Sequence, residues 1–455
     1  MKKRVTLITV AALLLLGAFL LIMTRLHSPA EVLAPPNPNG EHRQLQQAFE
    51  SAVGKSTEYK LQYPDEGEYR SAYVLYDIDG DEEQEALVFY TKTADESNVR
   101  VNVLDLVGDD WHSVLDESGY GNKIDSVVFA DLNNDGTSEV ILSWSLAGAD
   151  SSRTMTVHSA ELSKGKPSFT TLANMPYKAM SVVDMDHDGQ QEVLVLWNET
   201  TQKVQHNYAA LMKMTASGLH QYGDEVSLDS TASVYDGIYL QEGNKPVAFV
   251  DALKGDNTMF TEVLWWDDVN QTLKAPFTNN ETRTNRATLR SPAIPSQDID
   301  EDGIYEIPVA YGLPDNYSGN TSSRNNASEE KEERVYLTAW SVTGTAEPGV
   351  LQPKSYSLVD TENRFVLRMG SGYRDRLLAY RNNKTGVITV YGAEDGERGE
   401  PLFSLVYSPA GKPKNAKDYT FLALQGDRAV YGTLTSAGAA EGFTDENIQD
   451  SLVFY

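Results

Sequence analysis

One short acidic pattern occurs four times along the 455-residue chain and limits the folds that the sequence can adopt. The copies are DIDGDEEQE at 77–85, DLNNDGTSE at 131–139, DMDHDGQQE at 184–192 and DIDEDGIYE at 298–306. Their first residues are 54, 53 and 114 positions apart, and 114 is twice 57. This spacing predicts a degenerate copy in the long gap, where 247–266 carries Asp251 between two apolar runs. The chain is therefore built from a repeat of about 53 residues.

Each copy lies between two apolar, strand-like runs, and an aromatic residue follows five positions after each loop glutamate. We expect these aromatic residues to pack between units rather than to stack on sugar rings; they are Tyr90, Trp144, Trp197 and Tyr311. A unit of about 53 residues and about four strands has the size of a propeller blade. The predicted fold class is therefore mainly β, a propeller of about five four-stranded repeats near 70–120, 121–172, 178–228, 231–276 and 290–355.

The repeated loop places oxygen-bearing side chains at positions 1, 3 and 5, where alternate side chains converge, and a glutamate at position 9. Six to eight hard oxygen ligands suit Ca²⁺, whereas Mg²⁺ requires stricter octahedral geometry and is the second choice. An EF-hand is excluded, because its glutamate stands at position 12, which is apolar in all four copies. We expect up to four structural Ca²⁺ sites; catalytic carboxylates and empty, solvated turns are the alternatives.

The recurrence of the loop in register, with a strand directly after it, resembles the FG-GAP/VCBS repeats of integrin-alpha-like propellers and many bacterial surface proteins. The stretch 63–90 also resembles uncharacterised clostridial VCBS-repeat proteins. The resemblance covers about 285 residues and implies calcium binding without supplying an activity. The side-chain ligands that it implies are Asp77, Asp79, Asp81, Glu85, Asp131, Asn133, Asp135, Glu139, Asp184, Asp186, Asp188, Glu192, Asp298, Asp300, Asp302 and Glu306. Their partners are the backbone carbonyls of Glu83, Thr137, Gln190 and Ile304.

Two copies depart from the pattern. The first loop has Glu82 where glycine is expected, which predicts a distorted or weaker site. The copy at 251–262 has a longer loop and scrambled ligands, and we expect it to bind no metal.

The N-terminal segment predicts export. Lys2, Lys3 and Arg4 precede 19 uncharged, apolar residues from Val5 to Met23, close to the length that spans a bilayer. We interpret 1–27 as a membrane anchor with the bulk of the chain extracellular. The alternative is a signal segment cleaved near Ser28, which makes the protein secreted. The proline-rich stretch 28–40 is predicted to be a linker.

The remaining chain is predicted to form two domains. Residues 41–355 form the propeller, beginning with a helix over 41–55 in which Leu45, Phe49 and Val53 share one face. Residues 356–455 lack the acidic loops and predict a small α+β domain. The alternative is that their strands supply further blades of the propeller.

Composition excludes several classes of function. The net charge of -28 repels nucleic acid, and the absence of cysteine excludes disulfides and thiolate chemistry. No nucleophile elbow, zinc or phosphate-loop motif is present, so no catalytic residue is predicted. We expect a membrane-anchored binding or scaffold module whose ligand is cell wall, glycan or protein. The alternative is an envelope enzyme, a propeller hydrolase or lyase, with its active site at the central channel.

Overall fold

The computed structural model describes residues 40–108, 110–146, 153–162, 167–243, 245–255, 257–291, 293–311, 332–335, 337–343, 349–373, 376–394, 397–409 and 419–454. The predicted anchor, most of the linker and the polar stretch 312–331 lie outside these residues. Within the described ranges, no helix has the length and apolar character needed to cross a membrane.

The structure is mainly β, as the repeat predicted, and its first four sheets follow the chain in order. Sheet 1 has the strands β1 (Tyr59–Leu61), β2 (Tyr73–Tyr76), β3 (Glu85–Lys92), β4 (Asp95–Val107) and β5 (Asp110–Ser118). Sheet 2 has the strands β6 (Lys123–Ala130), β7 (Glu139–Ser145), β8 (Arg153–Glu161) and β9 (Ser168–Tyr177). Sheet 3 has the strands β10 (Ala179–Val183), β11 (Glu192–Thr201), β12 (Val204–Thr215) and β13 (Gly218–Leu228). Sheet 4 has the strands β14 (Val234–Gln241), β15 (Val247–Leu253), β16 (Met259–Asp267) and β17 (Thr272–Lys274).

In sheets 2, 3 and 4 each strand pairs antiparallel with the next strand in the chain. Sheet 1 has the same core, with β1 added beside β3. Four-stranded antiparallel meanders in series are consistent with a propeller-like fold. A short hairpin, β18 (Thr278–Asn279) with β19 (Thr284–Asn285), follows sheet 4.

The rest of the described chain forms two larger sheets. Sheet 5 has the strands β20 (Ile307–Tyr311), β22 (Leu337–Thr343), β23 (Leu351–Asp360), β24 (Phe365–Met369) and β30 (Leu452–Phe454). Sheet 6 has the strands β21 (Glu332–Arg334), β25 (Leu377–Asn382), β26 (Ile388–Glu394), β27 (Glu397–Pro409), β28 (Thr420–Gln425) and β29 (Arg428–Leu434). A 3₁₀ turn (Ser371–Tyr373) and two short helices, α2 (Ser436–Ala440) and α3 (Asp445–Asp450), accompany them.

Sheets 5 and 6 do not follow the domain boundary that was expected for the C-terminal segment. Strand β23 runs across the domain boundary expected between 355 and 356. Strand β30 returns from the end of the chain to pair with β24, and β21 leaves the fifth unit to pair with β25. The C-terminal strands are therefore interwoven with the fifth sheet, which the sequence did not reveal because the pairing partners are about 50 to 90 residues apart.

Apolar residues join each sheet to the next. Phe89 and Trp144 lie in one cluster between sheets 1 and 2, with ring centroids 6.4 Å apart. Similar clusters join sheets 2 and 3, sheets 3 and 4, sheets 4 and 5, and sheets 5 and 6. Stacking of this kind buries both faces of a sheet that cannot form a core alone.

The helix predicted from 41–55 is confirmed as α1 (Gly40–Val53) and covers the remaining face of sheet 1. Its Leu45 and Phe49 are buried, and Phe49 makes an edge-to-face contact with Tyr90 at 5.2 Å between ring centroids. Tyr90 therefore packs on a helix, whereas Trp144 packs between two units as expected. Trp197 packs against the cluster between sheets 2 and 3, as expected, and also stacks on Tyr208 of its own sheet at 5.6 Å between ring centroids.

Candidate functional site

Three of the acidic loops, at 77–85, 131–139 and 184–192, each follow the first strand of their unit and end at the glutamate that begins the next strand. The fourth, at 298–306, is bounded by an isolated bridge between Gln297 and Glu306, and β20 begins directly after it. We name them loop 1 (77–85), loop 2 (131–139), loop 3 (184–192) and loop 4 (298–306). All four glutamates are buried, and one oxygen, Oε2, accepts a hydrogen bond from the backbone N–H at loop position 2. These four bonds span 2.7–3.0 Å and run from Ile78 to Glu85, Leu132 to Glu139, Met185 to Glu192 and Ile299 to Glu306. The glutamate at position 9 therefore joins the two ends of the loop through protein atoms alone.

The aspartates at positions 1 and 5 hold the loop backbone. In loop 4, Asp298 accepts hydrogen bonds from the N–H groups of Asp302 at 2.9 Å and Gly303 at 2.7 Å. Position 5 then accepts the N–H at position 7, as from Ile304 to Asp302 at 3.0 Å. Loop 2 repeats both features. These contacts explain why carboxylates recur at alternate positions: each one orders a turn of backbone that has no partner in a sheet.

Loop positions 4 and 6 have left-handed backbone. In loops 2, 3 and 4, position 6 is glycine with φ between 84° and 89°. In loop 1, Glu82 takes this conformation at φ 74°. The departure predicted from the sequence therefore leaves the loop geometry in place, but a side chain occupies a conformation that favours glycine.

Loop 1 brings together carboxylates alone. One oxygen from each of Asp77, Asp79 and Glu85 lies within 4.8 Å of the others, and Asp79 Oδ1 is buried without a hydrogen-bond partner among the described residues. Burial, with the charges of Asp79, Asp81 and Asp105, raises the pKa of Glu85 to about 7. Asp105, on β4, was not singled out by the sequence; burial and the same two aspartates raise its pKa. Hard oxygens converging on one point, one of them unsatisfied, fit a divalent cation.

Loop 2 is less acidic. Asn133 stands at position 3, and its Nδ2 donates to Glu139 Oε1 at 2.9 Å. Thr137 donates to Asp135 through both its backbone N–H and its hydroxyl, at 2.8 and 2.6 Å. Asn133 Oδ1 accepts from the Asp135 N–H at 2.9 Å, so both ends of the amide are bonded within the loop. One amide and three carboxylates are hard oxygen donors of the kind that Ca²⁺ takes.

Loops 3 and 4 each contain a lysine ammonium among their predicted ligands. Lys213 Nζ lies 3.0 Å from Asp186 Oδ2, 2.6 Å from Asp188 Oδ2 and 2.8 Å from Glu192 Oε1. These carboxylates raise the pKa of Lys213 against the opposing effect of its burial. Lys213 could not be assigned to loop 3 from the sequence, because it lies 21 residues beyond Glu192 on β12.

Loop 4 repeats this arrangement with a lysine from a different strand. Lys354 Nζ, on β23, lies 3.0 Å from Asp300 Oδ1, 2.5 Å from Asp302 Oδ2 and 2.7 Å from Glu306 Oε1. The three carboxylates likewise raise the pKa of Lys354. No sequence spacing connects the two lysines to their loops; only strand pairing does.

The degenerate copy has its own buried cation. Asp251 and Arg290 are both buried, and Arg290 Nη2 lies 2.9 Å from Asp251 Oδ1. The same carboxylate accepts from the hydroxyl groups of Thr261 and Ser296 at 2.6 and 2.9 Å. Its oxygens are thus held by side chains of its own unit and of the segment that follows.

A cleft of about 600 Å³ lies at the opposite strand ends from the acidic loops. The opposition is clear in sheet 2, where Ala130 pairs with Glu139 at the loop end and Lys123 pairs with Ser145 at the cleft end. Charged and amide side chains from sheets 2, 3 and 4, and from the segment between β1 and β2, converge there. They include Asp65, Glu66, Lys123, Asp125, Arg153, Lys178, Asn198, Gln205, Asn207 and Asp236.

The centre of the cleft is an acid–arginine group. Asp125 is buried; its Oδ1 accepts from the Ser145 hydroxyl at 2.7 Å, and its Oδ2 lies 3.5 Å from Arg153 Nε. Arg153 also binds Glu66 at 3.0 Å. Burial raises the pKa of Asp125, with Glu66 and Asp65 adding to the effect. Asp125, Ser145 and Arg153 come from three strands of sheet 2 and Glu66 lies between β1 and β2, and no sequence spacing groups them.

Comparisons with known proteins found matches only among solved structures, at low sequence identity and low TM-score. No family model and no curated protein matches the chain. Among solved structures, a protein from Lactobacillus plantarum is 9% identical, with 73% of this chain and 83% of that chain covered and a TM-score of 0.28. The rhamnogalacturonan lyase YesW is 10% identical, with 73% and 72% covered and a TM-score of 0.28.

Proposed function

We propose that the protein is an exported, membrane-anchored binding module of the cell surface whose propeller-like sheets are stabilised by calcium at acidic loops. The observation that carries this proposal is the recurrence of one loop geometry, with the same buried glutamate and the same backbone bonds, in four units. The resemblance of the loops to FG-GAP/VCBS repeats, and the apolar segment at 1–27, support the assignment to the surface.

Loop 1 illustrates what calcium contributes. Its carboxylates Asp77, Asp79, Asp81 and Glu85, with the carbonyl of Glu83, would hold the ion. Without a cation, like charges in a partly buried turn repel one another and weaken the junction between β2 and β3. An ion bound with a Kd of about 0.1 mM adds about 2.7 kcal/mol of stability at 10 mM calcium.

Thermal unfolding tests the calcium part of the proposal. The full-length chain in mild detergent is heated in 10 mM calcium and in excess EGTA. We expect a higher Tm with calcium, and a smaller calcium effect in Asp79→Asn, which removes one inward carboxylate. Equal Tm values in the two solutions contradict a structural role for the ion.

The cleft is the proposed ligand surface. It carries paired ions and three amides, Asn198, Gln205 and Asn207, rather than an apolar floor. Such a surface suits a hydroxyl-rich or charged ligand such as a cell-wall glycan, which exchanges hydrogen bonds with water for bonds with the protein.

Co-sedimentation with purified cell-wall sacculi tests this binding. We expect the full-length chain to pellet with sacculi, and Arg153→Ala to pellet several-fold less. Arg100→Ala is the matched control, because Arg100 also pairs with a carboxylate, Asp116 at 2.9 Å, but lies in sheet 1. Equal pelleting of both variants excludes the cleft, and no pelleting of the folded wild type directs attention to protein partners.

An enzymatic role is the second candidate, and the buried Asp125 beside Arg153 favours it. A carboxyl group with a raised pKa can serve as a general acid or base, and an arginine can bind a substrate carboxylate. Incubation with cell-wall polymers, followed by assays for new reducing ends and for unsaturated products, separates hydrolase from lyase chemistry. Activity that disappears in Asp125→Asn supports the enzyme; no activity in either assay supports the binding module.

A further inference from the structure

We propose that Lys213 and Lys354 replace the metal ion in loops 3 and 4, so that the chain binds calcium at loops 1 and 2 only. This inference rests on the proposed calcium function and revises the predicted number of sites from four to two. The group that takes the place of the metal ion is a side-chain ammonium. Its single positive charge and three N–H donors can satisfy three carboxylate oxygens at once.

The two lysine clusters have the same plan. In each loop the ammonium contacts positions 3, 5 and 9, through Asp186, Asp188 and Glu192 in loop 3 and through the matching residues in loop 4. In each, the glutamate Oε2 accepts from the loop backbone. Glu306 Oε1 also accepts from Lys354 Nζ at 2.7 Å, and Glu192 Oε1 lies 2.8 Å from Lys213 Nζ as an ion pair. A metal ion at the centre of the loop would need these same inward oxygens.

Strand register supports a specific exchange rather than a chance contact. Val193 pairs with Met212, so Glu192 stands opposite Lys213 on the next strand. In sheet 1 the pair Ala86 and Leu104 has the same position, which places Asp105 opposite Glu85. The site that holds a cation in loop 3 therefore holds an additional carboxylate in loop 1.

In loop 4 a lysine ammonium occupies the same place but comes from a different strand position. Its lysine comes from β23, where the register shifts between β22 and β23 next to Lys354. Two lysines from different strands that reach the same three loop positions indicate that the centre of each loop requires positive charge. Loops 1 and 2 contain no lysine or arginine within the nine-residue loop and none at the opposing strand position, which is Asp105 or Ser159.

The test is calcium stoichiometry, measured by equilibrium dialysis on the full-length chain in detergent. We expect two ions per wild-type chain, three for Lys213→Met or Lys354→Met, and four for the double variant. Lys245→Met is the matched control, because Lys245 is exposed and contacts only Asp268, at 3.8 Å, among the salt-bridge partners of the described residues. This control is expected to bind two.

The reverse exchange does not depend on the stability of the methionine variants. Asp105→Lys places an ammonium opposite Glu85, and we expect one ion per chain with loop 1 no longer responsive to EGTA. Four ions in the wild type overturn the lysine proposal and leave the calcium function intact. No ions in the wild type or in any folded variant overturn the calcium function itself. Two ions in folded Lys213→Met and Lys354→Met also overturn the lysine proposal.

Discussion

At the scale of single residues, the side chain at position 6 distinguishes loop 1 from the other loops. Position 6 is left-handed in all four, and three of them have glycine there. Glu82 in loop 1 adopts φ 74°, and its side chain is exposed to solvent. A side chain in the left-handed region costs roughly 1–2 kcal/mol, and part of this is offset by the flexibility of glycine in the unfolded chain.

We therefore expect Glu82→Gly to increase the free energy of unfolding by about 1 kcal/mol. Urea denaturation in EGTA measures it without interference from the ion. The neighbouring Glu83→Gly serves as the control, because Glu83 has no positive φ, and it is expected to reduce stability. A loss of stability in Glu82→Gly contradicts the strain argument.

Glu262 is a second residue with a measurable effect. It is fully buried on β16 and accepts hydrogen bonds from the backbone of Asp229 and the side chains of Thr278 and Asn285. Burial raises its pKa to about 7, with the charge of Asp229 adding to the effect and the hydrogen bonds opposing it. The folded state thus favours the protonated form of Glu262 over the ionised form.

Because the folded pKa lies above the ordinary value of 4.5, the stabilising contribution of Glu262 is complete below pH 4.5 and is lost as the pH rises through about 7. Glu262→Gln removes this contribution. The difference in unfolding free energy between variant and wild type is expected to change by on the order of 3 kcal/mol across this range. The exposed Glu281→Gln is the control; equal pH profiles for wild type and Glu262→Gln contradict the prediction.

At the scale of elements, the sequence predicted the parts that depend on local pattern. Helix α1, the strand after each loop and the strand before loops 1, 2 and 3 follow from apolar periodicity, and they are present. The strand expected before loop 4 is reduced to a single bridge between Gln297 and Glu306. Contacts set by pairing between strands were not predictable. Lys213, Lys354 and Arg290 reach carboxylates 21 to 54 residues away in sequence, through registers that composition does not encode.

Helix α1 is an element whose role can be measured. It covers sheet 1 with Phe49, which is fully buried and touches Tyr59, Tyr73 and Tyr90. We expect Phe49→Ala to reduce the free energy of unfolding by about 3–5 kcal/mol, since a large buried ring leaves a cavity. Gln47→Ala, on the exposed face of the same helix, is expected to change it by less than about 0.5 kcal/mol. Similar values for both variants contradict the covering role of α1.

At the scale of the whole molecule, the main feature is the large negative net charge. The net charge of -28 acts against compaction, and the acidic loops concentrate much of it at one set of strand ends. Screening by salt reduces this repulsion. We expect 0.5 M sodium chloride to raise the Tm in EGTA by more than it raises the Tm in calcium, because the bound ion has already neutralised part of the charge. An equal effect in both solutions contradicts this view.

The sheets differ in whether each is formed by one continuous stretch of the chain. Sheets 1 to 4 are each made from one continuous stretch, so gene duplication or deletion could add or remove such a unit whole. Sheets 5 and 6 are different, because β21 belongs to the sixth sheet and β30 belongs to the fifth. No single cut in the chain separates them. In evolution, as in the design of chimeras, these two sheets must be inherited as one piece, and a junction that keeps the buried Arg290–Asp251 pair intact must lie before sheet 4.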